Sequence, residues 1–271
     1  MPSFTGKTFS SYFKNILGID QSSNTGVDVA VRRVQDGAGN NTAIALSDDQ
    51  FRVQPNEHNM TSTVSVGNQS GNNIFVVDTT NSKVLIGASQ VAASTQYAHF
   101  GLDYQASVAF TADTHFAIPF TNNASQASSY FEMGSSTSSS FNDTNPASSL
   151  SISISAYTTV NAYWYVMDDI TIDAVKWLHA ADTATGEDVA AHLMAYTLDT
   201  TNGSSGGNLT GGTVVADGAN ITNAGYEQIY YQSMTIQSAD VDAGKVILFT
   251  FASDTVNSDY SINATVKYHI R

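Results

Sequence analysis

The side chains able to do chemistry are few and scattered. The stretch "MDDITID", Met167–Asp173, sets Asp168, Asp169 and Asp173 close together. A pair of carboxylates is the minimum equipment for glycoside hydrolysis. In extended chain, adjacent Asp168 and Asp169 point to opposite faces and converge only through a bulge or turn. Asp169 and Asp173 share a face if one strand runs through both. That arrangement of oxygens suits Ca²⁺; the alternative is a solvated turn. His58, His99, His115, His179, His192 and His269 show no metal-ligand spacing. His179 and His192 flank the acidic loop "AADTATGEDVAA", so a metal site there requires both to converge with Asp182, Glu187 or Asp188. The chain has no G-x-S-x-G, no H-E-x-x-H, no P-loop and no strand-linked G-x-G-x-x-G. It has no cysteine, which excludes disulfides, thiolate zinc sites and cysteine nucleophiles. The expectation is a protein that is not an enzyme and needs no cofactor.

A second group of residues could bind rather than react. "NAYWYVM", Asn161–Met167, carries Tyr163, Trp164 and Tyr165. Alternation sends Trp164 to one face and both tyrosines to the other. Trp177 follows on the next candidate strand, and Tyr226 precedes "EQIYYQ". Exposed aromatic rings stack on sugars, which makes Tyr163, Trp164, Trp177 and Tyr226 candidate glycan contacts. The same rings serve equally well as core or subunit interface.

The elements that position these residues read as strands. With 271 residues and 42% hydrophobic content the chain can build a sizeable core. Only 13% of residues are charged, about half the usual share. The net charge of −14 is uneven: residues 1–100 carry six Lys/Arg and seven Asp/Glu, residues 101–271 four and seventeen. So acidic a C-terminal part argues against nucleic acid and against anionic lipid. No apolar run is long enough for a membrane helix, and the N-terminus shows no secretory apolar segment.

Phe9, Tyr12, Phe13, Ile16 and Leu17 fall at helical spacing, predicting an amphipathic helix over Thr8–Ile19. It either caps the protein's own core or docks the chain on a larger body. Strands are expected over Val27–Val34, Ala43–Leu46, Gln50–Gln54, Thr63–Val66, Asn73–Val77 and Lys83–Ile86. They are short, and each offers only two or three apolar side chains per face. "GNNTAIALSDDQFRVQP" and "GNNIFVVDTTNSKVLIG" echo each other 32 residues apart. A core shared between copies of the chain supplies the burial that one copy lacks.

Residues 101–271 hold longer candidates: His115–Phe120, Leu150–Tyr157, Ala162–Met167, Ile170–Leu178, Ala191–Leu198, Glu227–Gln237, Lys245–Phe251 and Tyr260–Ile270. Between them lie loops rich in Gly, Ser and Asn, such as Asp199–Gly212. This pattern predicts an antiparallel sandwich or jelly roll. "VILFTFA", Val246–Ala252, should be a central strand buried on both faces or at a subunit contact.

"NNIFVVDTTNSKVLIGAS", and with it "NNTAIALSDDQFRVQP", resembles the strand–turn–strand units of bacteriophage tail fibres and other virion fibres. The leader "FSSYFKNILGI" is similar to N-terminal attachment regions of marine phage proteins. "SADVDAGKVILFTF" resembles the turn leading into a strand in jelly-roll heads of viral spikes. The resemblance implies an attachment arm (1–19), a slender β stalk (20–98) forming an intertwined homotrimer, and a jelly-roll head (99–271). It implies a virion protein made in the host cytoplasm, held by Phe9, Tyr12, Phe13, Ile16 and Leu17 to a capsid or tail protein, and no catalytic residues. The small size and short leader favour a capsid fibre or decoration over a tail fibre; a tail fibre recognising host glycans is the alternative.

Overall fold

Short alternating runs reversed by tight turns form antiparallel ladders, and such ladders make up the first of the chain's two compact units, Met1–Ala93. The computed structural model describes residues 16–22, 26–87, 91–102, 112–113, 115–120, 131–132, 149–150, 160–181, 186–199, 209–225, 228–255 and 260–271. The first unit contains β1 (Gly18–Ile19), β2 (Arg32–Gln35), β3 (Asn41–Leu46), β4 (Phe51–Val53), β5 (Val64–Gly67), β6 (Asn73–Asp78), β7 (Lys83–Ile86) and β8 (Val91–Ala92). They form two four-stranded sheets, β1-β2-β3-β4 and β5-β6-β7-β8.

The sequence echo is a structural repeat: β2, β3 and β4 begin 32 residues before β5, β6 and β7. The turns inside the repeats are the same. Asp36 Oδ1 accepts from the amides of Ala38 and Asn40, and Asn68 Oδ1 accepts from those of Ser70 and Asn72. Gly39 and Gly71 close these turns at φ +84° and +83°, the left-handed region where a Cβ is costly.

The last residues of the helix expected over Thr8–Ile19 are not helical. Gly18 and Ile19 are strand, paired with Gln35 and Val34. So short a helix is marginal, and the free edge of β2 offers a ladder instead. The remainder, with Phe9, Tyr12 and Phe13, lies outside the described residues.

The second unit, Ser94–Arg271, contains β9 (Thr95–Leu102), β10 (Phe116–Ile118), β11 (Phe131–Glu132), β12 (Ser149–Leu150), β13 (Trp164–Tyr165), β14 (Ile170–Ala181) and β15 (Asp188–Leu198). There follow β16 (Leu209–Asp217), β17 (Ile221–Thr222), β18 (Gln228–Ser233), β19 (Thr235–Ile236), β20 (Asp240–Val241), β21 (Lys245–Ser253) and β22 (Tyr260–Ile270). One sheet runs β18-β14-β22-β9; the other contains β10-β21-β15-β16. Numbered along the chain, its eight principal strands (β9, β10, β14, β15, β16, β18, β21, β22) therefore stand in the orders one-eight-three-six and two-seven-four-five. That interleaving is a jelly roll.

The core lies between the sheets, where Phe100, Leu102, Ile118, Trp177, Phe249, Phe251 and Ile262 are buried in one cluster. β14 shows how the pattern is kept. Ile170 and Ile172 face inward, and so do Val175, Trp177 and Ala181. The change of phase occurs at a register shift between Ile172 and Ala174, so Asp173 is the extra residue of a bulge. β21 is buried on both faces, as its composition predicts. Ile247, Phe249 and Phe251 point into the core; Val246 and Leu248 join Met194, Tyr196 and Leu209 on the other side of the sheet.

Two essential strands were not anticipated. Thr95–Leu102 spans the expected boundary between stalk and head, and Leu209–Asp217 begins inside the segment expected to be a loop. The expected strand Leu150–Tyr157 appears only as Ser149–Leu150, its remainder lying outside the described residues. Glu227–Gln237 is two strands in different sheets, separated at Met234.

Candidate functional site

The first unit is built from alternating strands, and in a four-stranded sheet the registered pairs decide what each face displays. Val66, Phe75, Ile86 and Val91 form one cross-strand row, and Val64, Val77 and Val84 form the next on the same side. This face carries seven large apolar side chains, with Asn73 at its end by the same alternation. None is buried: Val66, Phe75 and Ile86 are 53%, 37% and 48% exposed, and the four valines beside them are half-buried. In the first sheet, Ile44 pairs with Val53 and Leu46 with Phe51. Ile44 and Phe51 are again exposed. Among the described residues of this unit, the buried apolar side chains are Ala45 and Val76. The unit thus displays its apolar faces instead of enclosing them. Ile16 and Leu17, the described members of the expected attachment set, are exposed as well.

The aromatic candidates of the second unit are placed differently. Trp177 is 1% exposed in the core, and its Nε1 donates to Gln232 Oε1 at 3.0 Å. Trp164 is 8% exposed, stacked on Phe120 and tilted against Tyr268. Tyr163 packs beside the apolar cluster on the opposite side of the sheet. These three rings are therefore framework and make no exposed sugar platform, because inward alternation of β13 and β14 buries both indoles. Tyr226 lies outside the described residues. The exposed ring of the stretch is Tyr165, 48% exposed.

The carboxylates do not converge either. Asp169 precedes β14, where its Oδ1 accepts from the amide of Ala243 at 2.8 Å. Asp173, the outward residue at the bulge, pairs with His269 Nδ1 at 2.9 Å. Asp169 and Asp173, the candidate calcium pair, thus have different partners. His179 and His192 do not meet: His179 is buried between the sheets, whereas His192 lies against His115, ring centroids 5.0 Å apart, on the far side of the second sheet. Among the described residues no group of three His, Cys, Asp or Glu is placed to hold a metal.

One constellation escaped the sequence reading. His179 Nε2 meets Asn223 Oδ1 at 2.8 Å, Asn223 Nδ2 donates to the Tyr260 hydroxyl at 3.4 Å, and that hydroxyl donates to Glu187. Ser253 Oγ is 3.2 Å from the same hydroxyl. The His179 ring is stacked between Trp177 and Tyr230. Burial lowers the His179 pKa, opposed by the Asn223 bond, while burial and the Glu187 bond raise that of Tyr260. The imidazole meets an amide instead of a nucleophile or carboxylate: the network gives partners to His179 Nε2, Asn223 and the Tyr260 hydroxyl, while the buried His179 Nδ1 has none. Its members lie far apart in sequence, joined only by the jelly-roll crossings.

No family model matches the chain, and no curated protein matches it. Among solved structures, the chain is similar to one in the structure of infectious bursal disease virus Gx strain, with a TM-score of 0.33 and 9% identity. The match covers 67% of this chain and 35% of that one, so the chain spans about a third of that protein's length. So distant a likeness adds nothing to the geometry above.

Proposed function

We propose that the chain is a non-enzymatic structural protein of a virus particle, a phage fibre or decoration protein. Its first unit completes its core against other copies of itself, and its jelly roll is displayed outward. The observation that carries this reading is the unburied row of seven large apolar side chains on one face of the sheet β5-β6-β7-β8. A segment this size with two buried apolar side chains among its described residues lacks the burial to stand alone, and oligomerisation is the usual remedy.

Three copies fit the resemblance of the repeats to virion fibres: three such faces close around an axis as a prism. Residues 1–19 supply the attachment, to a capsid protein in preference to a tail protein. Durability comes from interchain burial, since there are no disulfides. The test is the solution mass of the intact chain by light scattering, with exposure of the apolar face followed by a hydrophobic dye. A trimer that binds little dye supports the proposal. A monodisperse monomer overturns it.

A further inference from the structure

The sheet β18-β14-β22-β9 ends on β18, which is paired with β14 on one side only. The amide of Met234 donates to the carbonyl of Val175 in β14 at 3.0 Å, and the main-chain groups alternate in direction from there along the ladder. Those of Gln232, Tyr230 and Gln228 point to β14, and those of Ser233, Tyr231 and Ile229 point away from it. Among the described residues no hydrogen bond engages these outward groups. Ile229 and Tyr231 also bring their side chains to the outer face of the sheet, 74% and 57% exposed, with Leu178 opposite Tyr231. Residues 228–238 include no charge and no proline, the residues that normally guard an open edge. The opposite edge, β9, is covered in part: its Gly101 amide donates to the Pro119 carbonyl at 3.0 Å.

We propose that β18 is an assembly edge that pairs antiparallel with β18 of a second copy of the chain about a two-fold axis. The strand complements itself. Tyr231 faces Tyr231 of the second copy, Ile229 faces its Ser233, and each opposed pair exchanges both main-chain hydrogen bonds. The apolar strip of Leu178 and Tyr231 continues into the same strip of the copy. Charge selects the same occupant. Residues 101–271 carry seventeen acidic and four basic side chains, so two such units repel except along an uncharged seam. Lys176 lies over the Tyr231 ring, 5.7 Å from its centroid. The two Lys176 stand three strand spacings apart, about 14 Å, which exceeds the screening length of about 8 Å. Covering Ile229 and Tyr231 removes roughly 400 Å² per copy, about half of what a standard interface buries. The contact is therefore weak alone and takes hold where copies are already gathered. A two-fold axis cannot relate members of one three-fold ring, so the seam joins chains of different trimers. It does not depend on the shared-core reading of the first unit.

The chain has no cysteine, so one introduced thiol reports the seam. Two-fold pairing sets the Cα atoms of the two residues 231 about 5.5 Å apart, within the span of a disulfide. The two residues 229 lie about 14 Å apart and cannot be bridged. Full-length Tyr231→Cys and Ile229→Cys are oxidised at high protein concentration, with Met167→Cys, at a residue 77% exposed, as the collision control. Linked dimers are read on non-reducing gels. Tyr231→Cys should link about 10-fold faster than either of the others, because the seam raises the local concentration of that thiol alone. Combining Ile229→Cys with Ser233→Cys should restore linkage. Adding Ile229→Pro to Tyr231→Cys removes an outward donor and leaves the β14 ladder whole, so linkage should slow about 3-fold or more with the melting midpoint nearly unchanged. The proposal is overturned if Tyr231→Cys links no faster than Met167→Cys, or if Ile229→Cys alone links as fast as Tyr231→Cys. It is also overturned if a short alternating Thr/Val peptide with a central cysteine is captured in preference to the second copy, since the occupant is then a foreign strand. Linked pairs are read independently of assembled mass. A trimer without linkage at residue 231 would overturn this proposal alone, and a monomer in dilute solution that links at residue 231 would overturn the shared-core reading alone.

Discussion

Replacing Phe75 by serine probes the shared core where the structure gives its size. Phe75 sits in the middle of the apolar face, flanked by Val66 and Ile86, and is 37% exposed in one chain. A phenylalanine buries about 200 Å² when fully covered, so packing against other copies removes roughly 75 Å² more from water. At about 25 cal/mol per Å² that is worth about 2 kcal/mol per chain. In a trimer the loss recurs three times, about 6 kcal/mol, or roughly four decades in the association constant. Within the isolated chain the substitution costs little, because the lost surface was already in water. Sedimentation equilibrium over a dilution series reads the difference. Phe75→Ser should dissociate at concentrations where the wild type remains assembled, while its far-ultraviolet circular dichroism stays that of a β protein. Identical dissociation curves would refute the reasoning, since the face would then contribute nothing to assembly.

Other expectations concern the jelly roll and the turns. Trp177→Ala removes the largest core side chain and strands Gln232, and should cost about 3–5 kcal/mol, seen as a drop of roughly 10 °C in the melting midpoint of the second unit. His179 is held neutral by burial, whereas the unfolded chain protonates near 6.5. The unfolded state therefore gains its proton first, so stability is full above pH 6.5 and declines below it by up to about 1.4 kcal/mol per pH unit. Melting of His179→Gln between about pH 6.5 and 5 should fall less steeply than that of the wild type. Gly71→Ala forces a Cβ into a φ of +83° and should cost about 1 kcal/mol, whereas Ser70→Ala should be nearly silent. EDTA should leave the melting curve unchanged, because Asp173 faces His269 and Asp169 receives Ala243; a downward shift would reinstate a bound cation.

Much of the architecture was legible because it is written locally. In the first unit, turn residues and period-two alternation located β3 to β7 within a few residues, and the 32-residue echo proved to be two copies of one turn. β21 announced itself by composition. β9 was missed because "TQYAHFGL" mixes a glycine and a histidine into its alternation, and β16 because "LTGGTVVAD" opens on glycines that read as loop. Both become strands through pairing with distant partners, β22 and β15, which local pattern does not encode. The carboxylates misled for a related reason: their partners, the Ala243 amide for Asp169 and His269 for Asp173, come from distant segments that local pattern does not encode. The tryptophans misled because one-sided alternation is common to a buried face and a binding face, and only the second sheet decides between them. The His179–Asn223–Tyr260–Glu187 network depends wholly on the crossings of the jelly roll.

The central claim, that the first unit borrows its core from other copies, is tested most directly by the mass of the purified full-length chain in solution, measured by light scattering across a dilution series. The account predicts a species of three times the 28.8 kDa chain mass, persisting on dilution into the submicromolar range. A homogeneous 28.8 kDa species with a melting transition for the first unit would contradict it, because those strands would then be stable with their apolar faces in water.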